Sequence, residues 1–402
     1  MNILIFSQYY YPEKILINEI AEELVAKGNE VTVITGKPCY NFPYGKIPSE
    51  YRKTKCEVIN GVNVIRCNVF SRGENIFSIL LYYFSYMISA WLKSRRLKSK
   101  YDVVYLYQLT PIFQAFPAIK YCQQNNLKLF CYCLDIAPEC GMSISGKSKI
   151  TKDLYCRFSK WAYNACSLIG VTSKSFIEYQ QIVNNVPREK LVYLPQHASS
   201  LLLEHNLQNR SFDPNKIVFL FAGNVGLGAK IDTILFAAKE LVEKGENRFY
   251  IRILGDGSAK DDLIRLSNRL DLNNVVGFED GVPMSSMPEE YKKADVLLIS
   301  LRKGQITVPG KLQAYMATGK PIIGAINGSA NEIIKEAMCG AVCEAENSVA
   351  LAALLNDVVS SPNKYFKMGE NGKKYFVSNF TLDKHILNLF TYLERLIGLG
   401  IH

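Results

Sequence analysis

Short apolar runs alternate along the chain with stretches whose apolar positions follow helical spacing. Asn2 to Ser7 is an apolar run, Ile17 to Lys27 is an amphipathic stretch closed by Gly28, and Glu30 to Thr35 is the next apolar run. Runs of this length are typical of buried strands, and apolar positions three and four apart are typical of a helix packed on a sheet. The order strand, helix, strand predicts a parallel sheet.

The length of the chain predicts two domains, because 402 residues are too many for one ordinary α/β core. Further strands are predicted at Asp102 to Tyr107 and Lys128 to Leu134, and a second α/β pattern starts at Lys216. The stretch before it is rich in Asn, Gln and Ser, which is typical of a linker. The predicted organisation is a first domain at 1–197, a linker at 198–214, a second domain at 215–380 and an amphipathic helix at 381–402 that crosses back to the first domain.

One stretch of the second domain, residues 305–325, is predicted to be a loop, a helix and a strand. Pro309 suits a helix start, while Leu312, Tyr315 and Met316 share one helical face. Free N–H groups at such a start, together with the charge of Lys311, favour a phosphate. An ordinary α/β connection with a solvated lysine explains the same residues.

Two glycine-rich turns follow predicted strands of the second domain. They are Gly223 to Gly228 and Gly255-Asp256-Gly257. Backbone amides of such turns can bind phosphate, although a tight turn alone accounts for the glycines. The loop after the first strand, QYYYPEKILIN, lacks the G-x-G-x-x-G pattern of dinucleotide folds, so a nicotinamide or flavin enzyme is disfavoured.

Composition indicates an anionic partner and no metal. The chain has 47 basic and 37 acidic residues, a formal net charge of +10. An excess of this kind favours nucleic acid, phosphate-bearing substrates or an anionic membrane. Eleven cysteines without a C-x-x-C pair, and only four histidines, indicate reduced thiols in a cytosolic protein and no metal cluster. The start of the chain has no basic leader, so a signal peptide is not expected.

Residues 76–92 form an apolar run of seventeen residues without a charge, and KSRRLKSK follows directly. The run is short for a membrane span of roughly 30 Å. It fits a buried helix with a solvated end. It also fits an interfacial helix whose basic end meets anionic lipid, and we favour this second interpretation because aromatic residues and charge occur together.

Carboxylates follow two predicted strands of the first domain. Asp135 comes directly after the strand at 128–134, with Glu139 close behind it, and Glu13 lies in the first loop. The carboxyl ends of parallel strands are where such sheets bind ligands. Asp135 could equally cap the turn that follows it.

The order and spacing of these pieces resemble the family-4 retaining glycosyltransferases of GT-B fold. Within that family the chain is similar to the bacterial O-antigen and capsule branch typified by N-acetyl-L-fucosaminyl transferases. The matching pieces span nearly the whole chain and include QYYYPEKILINEIAEEL, VTVITGKPCYNFPYGKI, LYQLTP, LDIAPE, FAGNVG, ILGDGS, MPEEYKKADVLLISL and VPGKLQAYMATGKPII.

The resemblance implies two Rossmann-like domains facing a central cleft, with the acceptor in the first and a nucleotide sugar in the second. It implies that no metal holds the donor. Gly223 matches the glycine near the diphosphate, Lys230 the basic residue of that region, and Lys311 the start of the helix beneath the phosphates. The residues expected to bind substrate are Glu13, Glu139, Gly223, Asn224, Gly255, Asp256, Gly257, Pro309, Gly310 and Gln313, and those expected to act in catalysis are Asp135, Lys230 and Lys311.

Three positions depart from the family pattern. Asn224 stands where many members have arginine, Ile306 and Ala314 stand in place of a glutamate pair, and Leu134 replaces a histidine. The similar branch shares these departures and keeps VP-x-K-x-Q. We therefore assign the roles to Lys311, Gln313 and Asp135.

The expected function is transfer of a sugar, possibly L-FucNAc, from a UDP-sugar to a lipid-linked diphosphate glycan, with retained configuration. The expected setting is the anionic cytoplasmic face of the inner membrane, with no cofactor and no nucleic acid partner. Two alternatives stay open. A nucleotide-sugar 2-epimerase shares the fold, although it needs histidines that are scarce here, and a non-catalytic membrane-associated assembly protein would tolerate the missing glutamates.

Overall fold

Two β-sheets organise the chain, and each lies in its own unit. The computed structural model describes residues 1–39, 45–73, 75–97, 100–136, 149–198, 202, 207 and 216–398. The first unit comprises Met1–Pro195 with Leu382–His402, and the second comprises Gln196–Thr381. The predicted domain boundary at 197 lies two residues from this division, and most of the predicted linker lies outside the described residues.

The first unit has an eight-stranded sheet in the order β3-β4-β2-β1-β5-β6-β7-β8. All neighbouring strands are parallel except the β3–β4 hairpin, which confirms the parallel sheet predicted from the alternating pattern. The strands are β1 (Asn2–Ser7), β2 (Glu30–Gly36), β3 (Cys56–Ile59), β4 (Val62–Cys67), β5 (Val103–Gln108), β6 (Leu129–Cys133), β7 (Leu168–Val171) and β8 (Leu191–Tyr193). The helices that connect them are α1 (Leu16–Ala26), α2 (Ile76–Ser94), α3 (Ala115–Asn125), α4 (Lys149–Ala165) and α5 (Lys174–Ile182).

The second unit has a six-stranded, wholly parallel sheet in the order β11-β10-β9-β12-β13-β14. Its strands are β9 (Ile217–Ala222), β10 (Phe249–Leu254), β11 (Val276–Glu279), β12 (Val296–Ser300), β13 (Ile322–Ala325) and β14 (Gly340–Cys343). Its helices are α6 (Ile231–Glu243), α7 (Lys260–Arg269), α8 (Met287–Lys292), α9 (Lys311–Ala317), α10 (Gly328–Glu336), α11 (Ser348–Ser360) and α12 (Pro362–Asn379). Every residue of β9 is buried, because helices cover both faces of a parallel sheet.

The last helix, α13 (Leu382–Ile397), belongs to the first unit. Ile386, Leu389 and Leu393 on one face are fully buried in the core of that unit. Tyr392 adds a hydrogen bond from its hydroxyl to the Tyr193 carbonyl, 3.2 Å away. The strongly amphipathic pattern of this helix is therefore satisfied by packing on the first sheet.

The apolar run at 76–92 forms a single helix, α2, from Ile76 to Ser94. The Asn75 side chain caps it by accepting a hydrogen bond from the Ser78 N–H at 2.8 Å. Within the part of the chain that the structure describes, no helix combines the length and apolar character needed to cross a membrane.

Candidate active site

The two glycine-rich turns lie side by side at the carboxyl edge of the second sheet. The Gly223 N–H donates to the Leu254 carbonyl, and the Val225 N–H donates to the Asp256 carbonyl, both at 2.9 Å. The turn after β9 is therefore hydrogen-bonded to the turn after β10. Exposed backbone at such an edge is where parallel sheets bind ligands.

The glycines are needed because the two turns touch through their backbones. A Cβ atom on Gly255, which has a φ of +145°, would lie 2.0 Å from the Gly223 carbonyl oxygen. A Cβ atom on Gly257 would lie 2.4 Å from the Val225 carbonyl carbon. Tight packing of the turns thus accounts for these two glycines, while Gly223 and Asn224 remain exposed at the end of β9.

The Lys311 side chain lies directly over the end of β9. Its ammonium group is 3.6 Å from the centroid of the Phe221 ring, and a Cβ atom on Gly223 would lie 3.1 Å from Nζ. No carboxylate or hydrogen-bond acceptor in the described parts of the chain pairs with it. Burial lowers the pKa of Lys311 to about 7. A half-buried cation without a counterion among the described residues is a candidate binding position for an anion.

Helix α9 is fixed by hydrogen bonds, which sets the position of Lys311. The buried Tyr315 hydroxyl donates to the Ala222 carbonyl at 3.1 Å and accepts from the Ala222 N–H at 2.8 Å. With its NH₂ group turned toward the loop, the buried Gln313 amide donates to the carbonyls of Pro309 (3.2 Å) and Gly310 (3.1 Å). Gln313 therefore holds the loop before the helix, as a positioning residue.

The predicted start of α9 at Pro309 is wrong by two residues. Pro309 forms the preceding turn, in which its carbonyl accepts from the Leu312 N–H at 2.9 Å, and the helix begins at Lys311 after Gly310. The helix has seven residues. The charge of Lys311, and not the dipole of so short a helix, is therefore the feature that attracts an anion.

Lys230 lies near the first glycine turn, but its charge is balanced. It precedes α6 with a left-handed backbone (φ 45°), and its ammonium group lies 2.8 Å from Asp232 and 3.8 Å from Glu346. The hydrogen bond to Asp232 is the main cause that raises the pKa of Lys230. A surface cavity of about 730 Å³ opens beside Lys230 along α7, and its lining does not include Lys311. Lys311 is therefore available to an anionic ligand, whereas Lys230 is already paired with two carboxylates.

Asp256 is also engaged within the unit. Its carboxylate accepts from the Lys260 ammonium group and from the Gly281 N–H, both at 2.9 Å. The Lys260 hydrogen bond is the first cause that holds the pKa of Asp256 below its ordinary value. Asp256 thus joins the turn after β10 to the loop after β11.

Asp135 lies at the carboxyl edge of the first sheet, two residues after the last residue of β6. Its peptide carbonyl accepts from the Gln108 amide at 3.2 Å, but its half-buried carboxylate has no partner among the described residues. Burial raises the pKa of Asp135. The Asp135 charge also raises the pKa of the buried Tyr107, after burial itself. The carboxylate is thus available to a hydroxyl donor.

Glu13 holds a loop of the first unit. It is 3% exposed, and its Oε1 accepts from the Cys39 N–H at 3.0 Å. This contact joins the connection after β1 to the one after β2. Glu139 lies outside the described residues.

The sequence pattern missed two residues of the second unit that shape this site. Phe221 was part of a uniformly apolar strand, and Tyr315 was expected only as a buried helix residue. A tyrosine on a buried helix face needs a hydrogen-bond partner for its hydroxyl, so its residue type was the available signal. Phe221 has no comparable signal, because nearly every residue of a strand buried on both faces is apolar.

The described residues contain no cluster of side chains suited to binding a metal ion. Among the residues that the structure describes, no three His, Cys, Asp or Glu side chains lie close enough together to hold a metal ion.

Comparison with known proteins shows a partial match to one family and a shared fold. Residues 204–375 match the family profile for Glycosyl transferases group 1. The chain is 24% identical over 346 residues to the Escherichia coli K12 protein named "Putative colanic acid biosynthesis glycosyl transferase WcaI", which covers 79% of this chain and 82% of that protein.

Solved structures share the fold over nearly the whole chain. Sucrose-phosphate synthase from Thermosynechococcus elongatus has a TM-score of 0.76 at 15% identity, covering 99% of this chain and 100% of that one. Anabaena HepE in complex with UDP-glucose has a TM-score of 0.70 at 15% identity, covering 98% and 100%. The chain therefore has the GT-B fold, and residues 204–375 of it are similar to the glycosyl transferases group 1 family.

Proposed function

We propose that this protein is a retaining glycosyltransferase that moves a sugar from a UDP-sugar to a lipid-linked diphosphate glycan. The observation that carries the proposal is Lys311, a half-buried cation without a counterion at the carboxyl edge of the second sheet. Breaking the donor's glycosidic bond leaves negative charge on the diphosphate. A preorganised cation in a partly dry site stabilises this charge as it develops.

The second unit would bind the donor. The exposed Asn224, through its backbone N–H and side-chain amide, and the ammonium group of Lys311 would supply hydrogen-bond donors without a metal ion. Uridine is the nucleoside we propose, since HepE, whose fold this chain shares, was crystallised with UDP-glucose. In this assignment Lys230 and Asp256 support the turns and do not contact the diphosphate.

The first unit would bind the acceptor, with Asp135 as the residue that orients the attacking hydroxyl. Attack from the face that the diphosphate leaves retains the anomeric configuration and requires no protein nucleophile. The name of WcaI refers to colanic acid biosynthesis, and we take it as support for an acceptor in O-antigen, capsule or similar synthesis. An N-acetylated deoxyhexosamine such as L-FucNAc is the donor sugar that the family-4 resemblance favours.

Helix α2 would hold the protein against the cytoplasmic leaflet of the inner membrane. Its outer face exposes apolar side chains, among them Phe77, Phe84, Ile88 and Leu92. Arg95, at its carboxyl end, lies 5.3 Å from the Trp91 ring. Apolar and aromatic groups beside basic ones suit the interface of an anionic membrane.

A donor panel tests the proposal. UDP release is measured with a series of UDP-sugars in the presence of a lipid-linked acceptor, and the anomeric configuration of the product is read by NMR. We expect acceptor-dependent UDP release, a retained configuration and activity that survives EDTA. Conversion of the UDP-sugar to its epimer without an acceptor would indicate the epimerase instead, and absence of UDP binding would indicate a non-catalytic assembly protein.

A further inference from the structure

Aromatic rings from three neighbouring helices of the first unit form one continuous cluster. Helix α3 packs against both α2 and α4. Phe84 of α2 stacks on Phe113, in the turn before α3, and Phe113 contacts Phe158 of α4, with ring centroids 5.3 and 5.0 Å apart. The series of contacts closes through Phe158–Trp161 (5.2 Å), Trp161–Phe116 (6.3 Å) and Phe116–Trp91 (6.0 Å). We call these six residues the aromatic platform, and they include both tryptophans of the chain.

The platform and its surroundings expose apolar side chains to solvent. On α4, Leu154 is 68% exposed and Trp161 is 37% exposed. On α2, exposed apolar residues recur at helical spacing, at Phe77, Leu81, Ile88 and Leu92. A helix that faces water carries polar residues on its outer face, and a contiguous exposed apolar patch marks an interaction site. The outer faces of α2 and α4 therefore suit a partner with an apolar region.

Cations are in contact with the rings of the platform. The Lys120 ammonium group of α3 lies 5.9 Å from the ring centroids of both Phe116 and Trp161. The Arg95 guanidinium lies 5.3 Å from the Trp91 ring. Positive charge and aromatic surface are thus joined at two places, one beside α4 and one at the end of α2.

The charges of the three helices favour an anionic partner over a second copy of this chain. Arg157 and Lys160 are exposed on α4. Helices α2 and α3 contain no acid, and α4 contains one, Asp153. Two copies of this surface would bring like charges together, which is unfavourable. An anionic bilayer supplies negative headgroups beside an apolar layer, and aromatic side chains are enriched at that boundary.

The platform reaches the edge of the first sheet at which Asp135 lies. Phe113 comes five residues after the end of β5, and Asp135 comes two residues after the end of β6. Strands β5 and β6 are parallel neighbours, so both residues follow the carboxyl edge of the sheet. A lipid-borne molecule at the platform would therefore approach the sheet at the edge that carries Asp135.

We propose that α3 and α4 contact an anionic bilayer together with α2, so that the aromatic platform forms the membrane-binding surface. This inference deepens the membrane attachment of α2 in the proposed function and rests on it. Leu154 and Trp161 would enter the boundary of the apolar layer, and Lys120, Arg157 and Lys160 would meet lipid phosphates. A single helix leaves the protein free to roll about the helix axis. Contact along two helices fixes the face that is turned to the membrane.

Tryptophan fluorescence tests the contact of α4 separately from that of α2. Trp91→Phe leaves Trp161 as the single tryptophan, and Trp161→Phe leaves Trp91. Each variant is mixed with vesicles of phosphatidylglycerol and phosphatidylcholine in equal parts, with bromine-labelled acyl chains as quenchers. We expect the emission of Trp161, like that of Trp91, to shift to shorter wavelength and to be quenched.

Vesicle flotation measures what α4 contributes to binding. The double variant Leu154→Ser, Trp161→Ser should weaken partitioning to these vesicles about tenfold or more. Its control, Val58→Ser, Leu387→Ser, changes exposed apolar residues of β3 and α13 in the same unit and should float as the parent does.

A second pair of variants tests the charges of α4. Arg157→Gln, Lys160→Gln should weaken binding to the anionic vesicles about tenfold and leave binding to pure phosphatidylcholine unchanged. Its control, Lys27→Gln, Lys53→Gln, removes the same charge from exposed lysines elsewhere in the unit and should have a smaller effect. Because these side chains are exposed, this comparison holds even if the Leu154→Ser, Trp161→Ser variant fails to fold.

Unquenched Trp161 in a variant that floats would overturn the inference and leave α2 alone as the attachment. Equal losses in a test pair and its control would overturn it too. A parent that does not bind anionic vesicles would refute this inference together with the attachment of α2, while UDP calorimetry would still test the donor site independently. A parent that sediments as a dimer, and that Leu154→Ser, Trp161→Ser converts to a monomer without any binding to vesicles, would assign the platform to self-association instead.

Discussion

The Lys311 ammonium group lies 3.6 Å from the centroid of the Phe221 ring, and no carboxylate or hydrogen-bond acceptor among the described residues pairs with it. A desolvated cation–π contact contributes about 2 kcal/mol, less than is needed to bury a charge at no cost. The part of the burial cost that the ring does not offset lowers the pKa of Lys311 to about 7. We propose that a bound diphosphate would supply the negative charge that offsets this cost.

Replacing Lys311 with Met should stabilise the free protein. Because the folded pKa of about 7 lies below the ordinary value of 10.5, the cost of the buried charge is present in full below pH 7. It declines as the pH rises toward 10.5, since the folded protein has then already lost the proton. The variant should therefore melt higher at about pH 6, by about 2–4 °C for each kcal/mol, and the advantage should vanish at about pH 10.

Thermal unfolding of Lys311→Met and Lys216→Met at both pH values checks this expectation. Lys216 is a suitable control because its ammonium group also lies over an aromatic ring, Tyr250 at 4.9 Å, but it is exposed and precedes β9. A Lys311→Met variant that melts at or below the parent temperature at about pH 6 would show that the charge is not costly.

Gly255→Ala should separate the two glycine turns. The added methyl group would lie 2.0 Å from the Gly223 carbonyl oxygen, so one turn must move, and the φ of +145° adds strain. Gly245→Ala is the matched control, because Gly245 also has a positive φ (+82°) but nothing lies within 4 Å of the new atom. The control should lose about 1–2 kcal/mol from strain alone. Chemical denaturation should show a larger loss for Gly255→Ala, together with weaker UDP binding; equal losses would contradict the contact between the turns.

Asp135→Asn should lower turnover more than tenfold and leave UDP affinity unchanged, because its carboxylate lies in the first unit without a partner among the described residues. Asp153→Asn, an exposed acid on α4, is the control. Steady-state UDP release and UDP calorimetry supply the two readouts. Turnover within about twofold of the parent, less than 0.5 kcal/mol in the barrier, would make Asp135 a structural residue.

The parallel sheets were predictable from the sequence because their strands are buried on both faces. All six residues of β9 are buried, as are Leu312, Tyr315 and Met316 of α9, so apolar runs and helical spacing marked them. The β3–β4 hairpin was not predicted, since β3 is half-exposed and lacks a continuous apolar run. The spacing of apolar residues follows from burial, so this signal is weakest in segments that are only partly buried.

The charge balance of the candidate site could not be predicted from the sequence. Lys230 and Lys311 looked equivalent as basic residues at predicted helix starts, but Lys230 pairs with Asp232 and with Glu346, which is distant in the chain. Lys311 meets Phe221 instead. Which acids approach which lysine depends on tertiary packing, so only the structure distinguishes an available cation from a neutralised one.

Polar substitution of the outer face of α2 should weaken binding to anionic vesicles. Phe77 and Ile88 are 74% and 50% exposed, and burying an apolar side chain of this size in lipid contributes about 1.5–3 kcal/mol. The double variant Phe77→Ser, Ile88→Ser is compared by vesicle flotation with Leu387→Ser, which changes a residue on α13 whose exposure (59%) lies between those two. High salt should release part of the parent protein, because basic residues contribute through a screened attraction. Undiminished flotation of the double variant would refute the interfacial role of α2.

Calorimetry with UDP tests the central claim most directly. The parent, Lys311→Ala and Lys216→Ala are titrated under identical conditions, since the two lysines flank opposite ends of β9 and each lies over an aromatic ring. Hydrogen bonds to charged groups contribute about 1.5–3 kcal/mol, so Lys311→Ala should weaken UDP binding about tenfold or more. Lys216→Ala should bind UDP as the parent does. A Lys311→Ala variant that folds normally and binds UDP with unchanged affinity would contradict the account.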